Sequence, residues 1–140
     1  MRKAIICFGI FLTGFPQPIQ AAPASLPLAE NEKALQPIVI SDKASDVTKK
    51  VAAELADYLQ RITGAKFAVE VGDGSRGIVL GTLVEFPNPA LNEALVIRNT
   101  YDGREAFVIR TEEKRLLLIG GSDLGASHAV FRVLESLGCR

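Results

Sequence analysis

Apolar residues recur along this chain in two rhythms, one of the β-strand and one of the helix. Pro37-Ile38-Val39-Ile40 is a short β-branched run behind a proline and predicts a strand. After a turn over residues 41–45, Val47, Val51, Leu55, Tyr58, Leu59 and Ile62 repeat at helical spacing, with Lys49, Lys50, Glu54, Asp57, Gln60 and Arg61 between them. This predicts an amphipathic helix over 47–62 with its apolar side inward. Asp46 is the expected N-cap and Gly64 the expected left-handed stop. Phe67-Ala68-Val69-Glu70-Val71 alternates as a strand does, Gly72-Asp73-Gly74-Ser75 reads as a turn, and Gly77-Ile78-Val79-Leu80-Gly81 is the continuous apolar run of a strand buried on both faces. Residues 82–94 hold two prolines and two asparagines and read as a loop, with one helical turn around 89–93 and a short edge strand at Leu95-Val96-Ile97.

Asp102-Gly103 marks the next turn. Glu105 to Thr111 then pairs with Arg115 to Gly120 across Glu112-Glu113-Lys114, the clearest hairpin of the chain. A second helix follows over Leu124 to Leu137, with Ala126, Val130, Phe131, Leu134 and Leu137 expected to face inward. The order is β-α-β-β, a variable loop, then β-β-α. This predicts a small mixed β-sheet with two main helices, an α/β fold with α+β left open.

Upstream, Met1-Arg2-Lys3 is a short basic start and Ala4 to Phe15 an apolar run, followed by Ala21, Ala22, Pro23 and Ala24. This is the pattern of a signal peptide over residues 1–24, cleaved after Ala21 or Ala24. The run is too short for a bilayer-spanning helix, which needs about 20 apolar residues; an uncleaved anchor is the alternative. The expected location is exported, periplasmic or extracellular. Residues 25–36 read as a loose lead-in and residues 37–140 as one domain, since about 115 mature residues suffice for one domain and no more.

Charge and composition narrow the chemistry. The whole chain balances 16 basic against 16 acidic residues, and removal of Arg2 and Lys3 leaves 14 against 16, a net −2. No basic face points to nucleic acid. Of the two cysteines, Cys7 lies inside the leader, so a mature domain holds only Cys139 and has no internal disulfide; Cys139 reads as a small buried apolar residue. With no Trp, two Tyr and seven Phe, an aromatic sugar platform is not supported.

Candidate sites are each outweighed by a plainer reading. Glycoside hydrolysis needs two carboxylates, and the local pairs are Glu112 with Glu113 and Asp102 with Glu105. Both sit at turns, where hydrated charges are expected. Gly120-Gly121-Ser122-Asp123-Leu124-Gly125 precedes a helix, where free amides bind anions. It lacks the dinucleotide-binding glycine spacing and a following Lys-Ser/Thr, so the glycines serve a tight turn with Ser122 or Asp123 as cap. His128 is the only histidine, and Arg132 stands at i+4 where a second metal ligand is needed. No catalytic, cofactor-binding or metal-ligating residue is assigned.

The motifs in order resemble a known family. Ala53-Glu54-Leu55-Ala56-Asp57-Tyr58-Leu59-Gln60-Arg61-Ile62-Thr63-Gly64-Ala65 resembles the "AAxELxxYLxxITG" helix of the N-terminal domain of bacterial alpha-glucuronidases, a domain that also precedes the barrel of beta-hexosaminidase-type enzymes and of secreted relatives of unknown function. Gly77 to Gly81, Asp102-Gly103 with Ala106 to Ile109, and Leu116 to Gly121 with Gly125 to Cys139 match the family's "I-x-L-G", "DG-x-x-F-x-I" and "L-x-I-x-G…G…(A/Y)-x-(Y/F)-x-x-L-E-x-L-G-C-R" segments. The resemblance runs from about Pro37 to the end. It implies a mixed sheet flanked by helices, placed before a (β/α)8 barrel that carries the catalytic carboxylates, so no catalytic residue transfers to this chain. The expectation is a non-catalytic accessory domain of a secreted glycoside hydrolase of alpha-glucuronidase type acting on xylan-like polysaccharide, truncated or separately encoded. Its partners would be a downstream barrel domain and a carbohydrate. A stand-alone exported binding module using residues 82–100 is the alternative.

Overall fold

The computed structural model describes residues 25–97, 99 and 103–139. Residues 1–24, over which a signal peptide is expected, and Asp102 and Arg140 lie outside them. The elements are β1 (Ala29–Glu30), β2 (Lys33–Ala34), β3 (Ile38–Ile40), α1 (Asp46–Thr63), β4 (Val69–Val71), β5 (Gly77–Thr82), a 3-10 turn (Pro89–Leu91) running into α2 (Asn92–Leu95), β6 (Phe107–Thr111), β7 (Arg115–Gly120) and α3 (Asp123–Ser136). Five strands form one mixed sheet in the order β4-β3-β5-β7-β6, with β6 antiparallel to β7 and the other neighbours parallel. The fold is α/β, as the alternation of runs predicts.

The hairpin β6–β7 and the doubly buried β5 stand where the apolar pattern puts them. Ile78, Leu80, Leu116 and Leu118 join Ile38 and Ile40 in one core beneath α1 and α3, while Val79, Leu117 and Ile119 point into a second core on the opposite face with Phe86, Leu91 and Leu95. Successive residues of β5 and β7 thus alternate between two covered faces, which is why these strands read as unbroken apolar runs.

Four expectations change. The segment read as a loose lead-in forms the antiparallel pair β1–β2, turning through Asn31 and Glu32 at φ 50 and 59; two successive positive φ values are the mark of a type I′ hairpin turn. Leu26, Leu28, Ala29 and Ala34 of this segment pack against the first core. Leu95-Val96-Ile97 is not a strand. Asn88 caps the 3-10 turn by accepting the Ala90 amide, and Leu91 and Leu95, four apart, both bury against the second core. Asp46 is the first residue of α1 rather than its cap: Ser45 Oγ accepts the Thr48 amide at 3.1 Å, while Asp46 pairs with Lys49. The buried faces of the helices are also narrower than their apolar stripes. Thr48, Val51, Ala52, Leu55 and Leu59 of α1, and Gly125, Ala126, Ala129, Val130 and Leu134 of α3, face the core, leaving Val47, Tyr58, Ile62, Phe131 and Leu137 on the flanks. Small residues such as Ala52, Gly125, Ala126 and Ala129 fill the buried faces, and the larger side chains stand at their margins.

The turn read at 72–75 is part of a crossover over 72–76. β4 and β5 lie on opposite sides of β3 and both run parallel to it, so the five residues between them must pass over β3. The path is about 14 Å, two strand spacings across and three residues back, within reach of six extended links of about 3.3–3.6 Å each. It is far shorter than the usual parallel crossover of about a dozen residues. Gly74 makes it possible: its φ is +75, and a Cβ there would stand 2.7 Å from the Phe86 ring and 3.1 Å from Val79.

Leu59 is 1% exposed. Leu59→Asp is expected to unfold the domain, because an uncompensated buried charge costs about 3–5 kcal/mol against a total stability of about 5–15 kcal/mol; far-ultraviolet circular dichroism at 25 °C reads this directly, and a native spectrum would refute the helix register. Gly74→Ala should lower stability by about 1–3 kcal/mol through strain at positive φ. Urea denaturation checks it, and an unchanged midpoint would mean that the crossover does not pack on Phe86 as described.

Candidate functional site

Two surface features stand apart from the cores. The first is a cleft of about 260 Å³ on the second face of the sheet. The crossover loop forms one wall, with Asp73 and Gly74; the segment after β5 forms the other, with Glu85 to Pro89. Its floor residues Val79, Leu117 and Ile119 are at most 2% exposed, so the accessible wall is chiefly polar. Arg115 closes one end. Its Nε donates to Glu112 Oε2 at 2.6 Å and its Nη1 to the Gly74 carbonyl at 2.9 Å, tying the β6–β7 hairpin to the crossover. Glu85 Oε2 accepts both the Thr82 amide at 2.6 Å and the Thr82 hydroxyl at 3.0 Å, which turns the chain back over the sheet after β5. Asp73 Oδ1 accepts the Ser75 amide at 2.9 Å. Bonds from the Ser75 hydroxyl and then its amide hold the Asp73 carboxyl below the usual carboxylate range, with a smaller contribution from the Arg76 charge.

The second feature is an apolar groove of about 320 Å³ along the outer side of the helix pair, lined by Tyr58, Phe131, Leu134, Glu135 and Cys139. Both helices leave the carboxyl ends of parallel strands and run the same way. Near their starts, Thr48 Oγ1, buried, donates to Asp123 Oδ1 at 3.2 Å. Tyr58 and Phe131 are 38% and 44% exposed, and Val47, Ile62, Leu124 and Leu137 add comparable apolar surface on the same two helices. Nearby charges are paired within each helix, Asp57 with Arg61 at 2.7 Å and Arg132 with Glu135 at 3.2 Å.

The residues weighed from sequence fall as follows. Glu112 is engaged by Arg115, Glu113 and Glu105 are exposed, and Asp102 lies outside the described residues. Glu112 is therefore committed to an ion pair with Arg115. His128 is half-buried on α3, and no group of three or more His, Cys, Asp or Glu side chains comes together among the described residues. In the β7–α3 turn, Ser122 Oγ accepts the Gly125 amide and its hydroxyl donates to the Arg104 carbonyl. A Cβ on Gly125 would stand 2.3 Å from the Ala106 carbonyl oxygen, so this glycine serves close packing of α3 on the chain entering β6. Cys139 is half-buried at the groove. The tie from Arg115 to Gly74 spans 41 positions and had no local signal; the only sequence hint was a lone arginine opening an apolar strand.

Among solved structures, this chain is similar to a family GH115 4-O-methyl-alpha-glucuronidase with specificity for decorated arabinogalactans, with a TM-score of 0.53 and 21% identity over 77% of this chain. The match spans 14% of that enzyme's chain. At this identity the likeness is one of fold. No protein-family profile matches the sequence and no curated protein matches it.

Because the Asp73 carboxyl is held low when folded, whatever it adds to loop order is present above the ordinary carboxylate range and is lost as pH falls through its lowered value. The Ser75 amide resonance should therefore titrate with a midpoint below that of a free aspartate, and Asp73→Asn should flatten the curve. A midpoint at or above the ordinary aspartate value would contradict the loop geometry.

Proposed function

We propose that this chain is a non-catalytic accessory domain of a secreted glycoside hydrolase of alpha-glucuronidase type, involved in breaking down xylan-like or related decorated polysaccharide, with the reactive carboxylates supplied by a separate (β/α)8 barrel. The likeness of fold to part of a GH115 enzyme supports the reading. The single observation that carries it is the apolar groove between α1 and α3. A small domain whose central strands β5 and β7 are already covered on both faces has no internal need for Tyr58, Phe131, Ile62 and Leu137 at its surface. The groove lined by Tyr58, Phe131 and Leu134, with the neighbouring charges Asp57–Arg61 and Arg132–Glu135 in pairs, suits packing against a second apolar surface. In this reading the domain buttresses the barrel and helps to shape the substrate cleft.

A second reading, a stand-alone exported module that binds carbohydrate or protein, is favoured by a different observation: the segment after β5 forms a wall of the polar cleft.

The DNA beyond codon 140 decides between them. A barrel-coding frame, intact or broken, is the expected outcome for the accessory reading, and unrelated sequence in every frame would count against it. In either case the purified chain should leave aryl alpha-glucuronides intact. Turnover by this chain, lost on Glu→Gln substitution, would overturn both readings.

A further inference from the structure

The polar side chains of the sheet-face cleft are each fixed by local bonds that leave hydrogen-bonding capacity unused. Asn88 accepts the Ala90 amide through Oδ1 at 3.2 Å, which leaves its Nδ2 hydrogens as donors. Arg115 spends one N–H on Glu112 and one on the Gly74 carbonyl, out of five. Glu85 uses Oε2 for both Thr82 bonds, leaving Oε1 as an acceptor. Asp73 takes the Ser75 amide on Oδ1 and is also bonded by the Ser75 hydroxyl, two of the roughly four acceptor sites of a carboxylate. The cleft thus offers two anchored donors and two anchored acceptors whose positions are set before any ligand arrives.

Three properties select the ligand class. The cleft carries two carboxylates against one cation that is already paired with Glu112, which disfavours a carboxylate or phosphate ligand. The strand residues of its floor, Val79, Leu117 and Ile119, are already sealed, so a greasy or aromatic ligand gains burial chiefly against Pro87 and Pro89 at the wall. Its volume of about 260 Å³ equals roughly nine waters at about 30 Å³ each and falls below the range of about 300–1,000 Å³ for larger ligands. Hydroxyl groups both donate and accept, and a compact ring bearing several of them matches a mixed donor–acceptor wall of this size.

We infer that this cleft is a binding site for a single neutral sugar unit, with Asn88 and Arg115 donating to its hydroxyls and Glu85 and Asp73 accepting from them. The inference rests on the carbohydrate-linked reading above and deepens it by naming a site and a charge class. It places recognition of uncharged backbone or side-chain sugars here and leaves the uronic acid to another site.

Amide-detected NMR titration of the 15N-labelled chain with xylose, arabinose, galactose and glucuronic acid tests it. At least one neutral sugar should shift the Gly74, Asn88 and Leu117 amides with a Kd of about 1–10 mM, and glucuronate at neutral pH should bind at least about tenfold more weakly. Asn88→Asp keeps the cap oxygen and replaces the donor by an acceptor; it should weaken sugar binding about fivefold or more at an unchanged melting temperature. Asp73→Asn, on the exposed loop, provides a second variant whose folding is not at stake and should weaken binding severalfold. No shifts up to about 50 mM neutral sugar, equal affinity for glucuronate, shifts confined to the α1–α3 groove, or full affinity in both variants would each overturn the site. These failures leave the accessory reading standing, since that is decided by the downstream frame; an absent barrel frame would equally leave a measured sugar site intact.

Discussion

Strands β5 and β7 are covered on both faces, and the rest of the structure follows from that constraint. Ile78, Leu80, Leu116 and Leu118 require the helix pair on one side; Val79, Leu117 and Ile119 require a second cover on the other. The chain supplies that second cover without a long helix. It uses Phe86 and the short helical stretch carrying Leu91 and Leu95, and it routes the link from β4 to β5 across the same face. The polar cleft exists because these two pieces of cover do not meet completely over the sheet.

The parts of the fold legible in the sequence were those in which side-chain period and burial agree. The β6–β7 hairpin, the doubly buried β5 and both long helices come directly from apolar spacing. The parts that were not legible depend on contacts far apart in the chain. Nothing local distinguishes a glycine-rich turn that folds back on itself from one that strides over β3, since both want Gly72 and Gly74. Leu95-Val96-Ile97 has strand composition, but the cap at Asn88 and the four-residue spacing of Leu91 and Leu95 prevail. The helix faces were misjudged at their margins because volume as well as hydrophobicity decides what fits beneath: Ala52, Ala129 and Gly125 are buried, while Tyr58 and Phe131 stand at the side.

The candidate surfaces were less legible still. The groove is built from residues that any apolar count assigns to the core, so it becomes visible only once the interior is seen to be full without them. The cleft draws on Asp73, Glu85, Asn88 and Arg115, which lie in three separate stretches and carry no motif. Each is fixed by a neighbour two or three positions away or, for Arg115, also by a carbonyl brought near by the crossover. The two surfaces lie on opposite sides of the sheet, so one can be covered by a packing partner while the other stays open to solvent.

Cys139 is the free thiol among the described residues, and it sits at the groove beside Tyr58 and Phe131. Its sulfur is therefore a built-in gauge of occupancy. Alkylation proceeds while that side of the molecule is bare and slows once another surface closes over it, so the speed of a simple labelling reaction reports whether the helix pair is alone or covered.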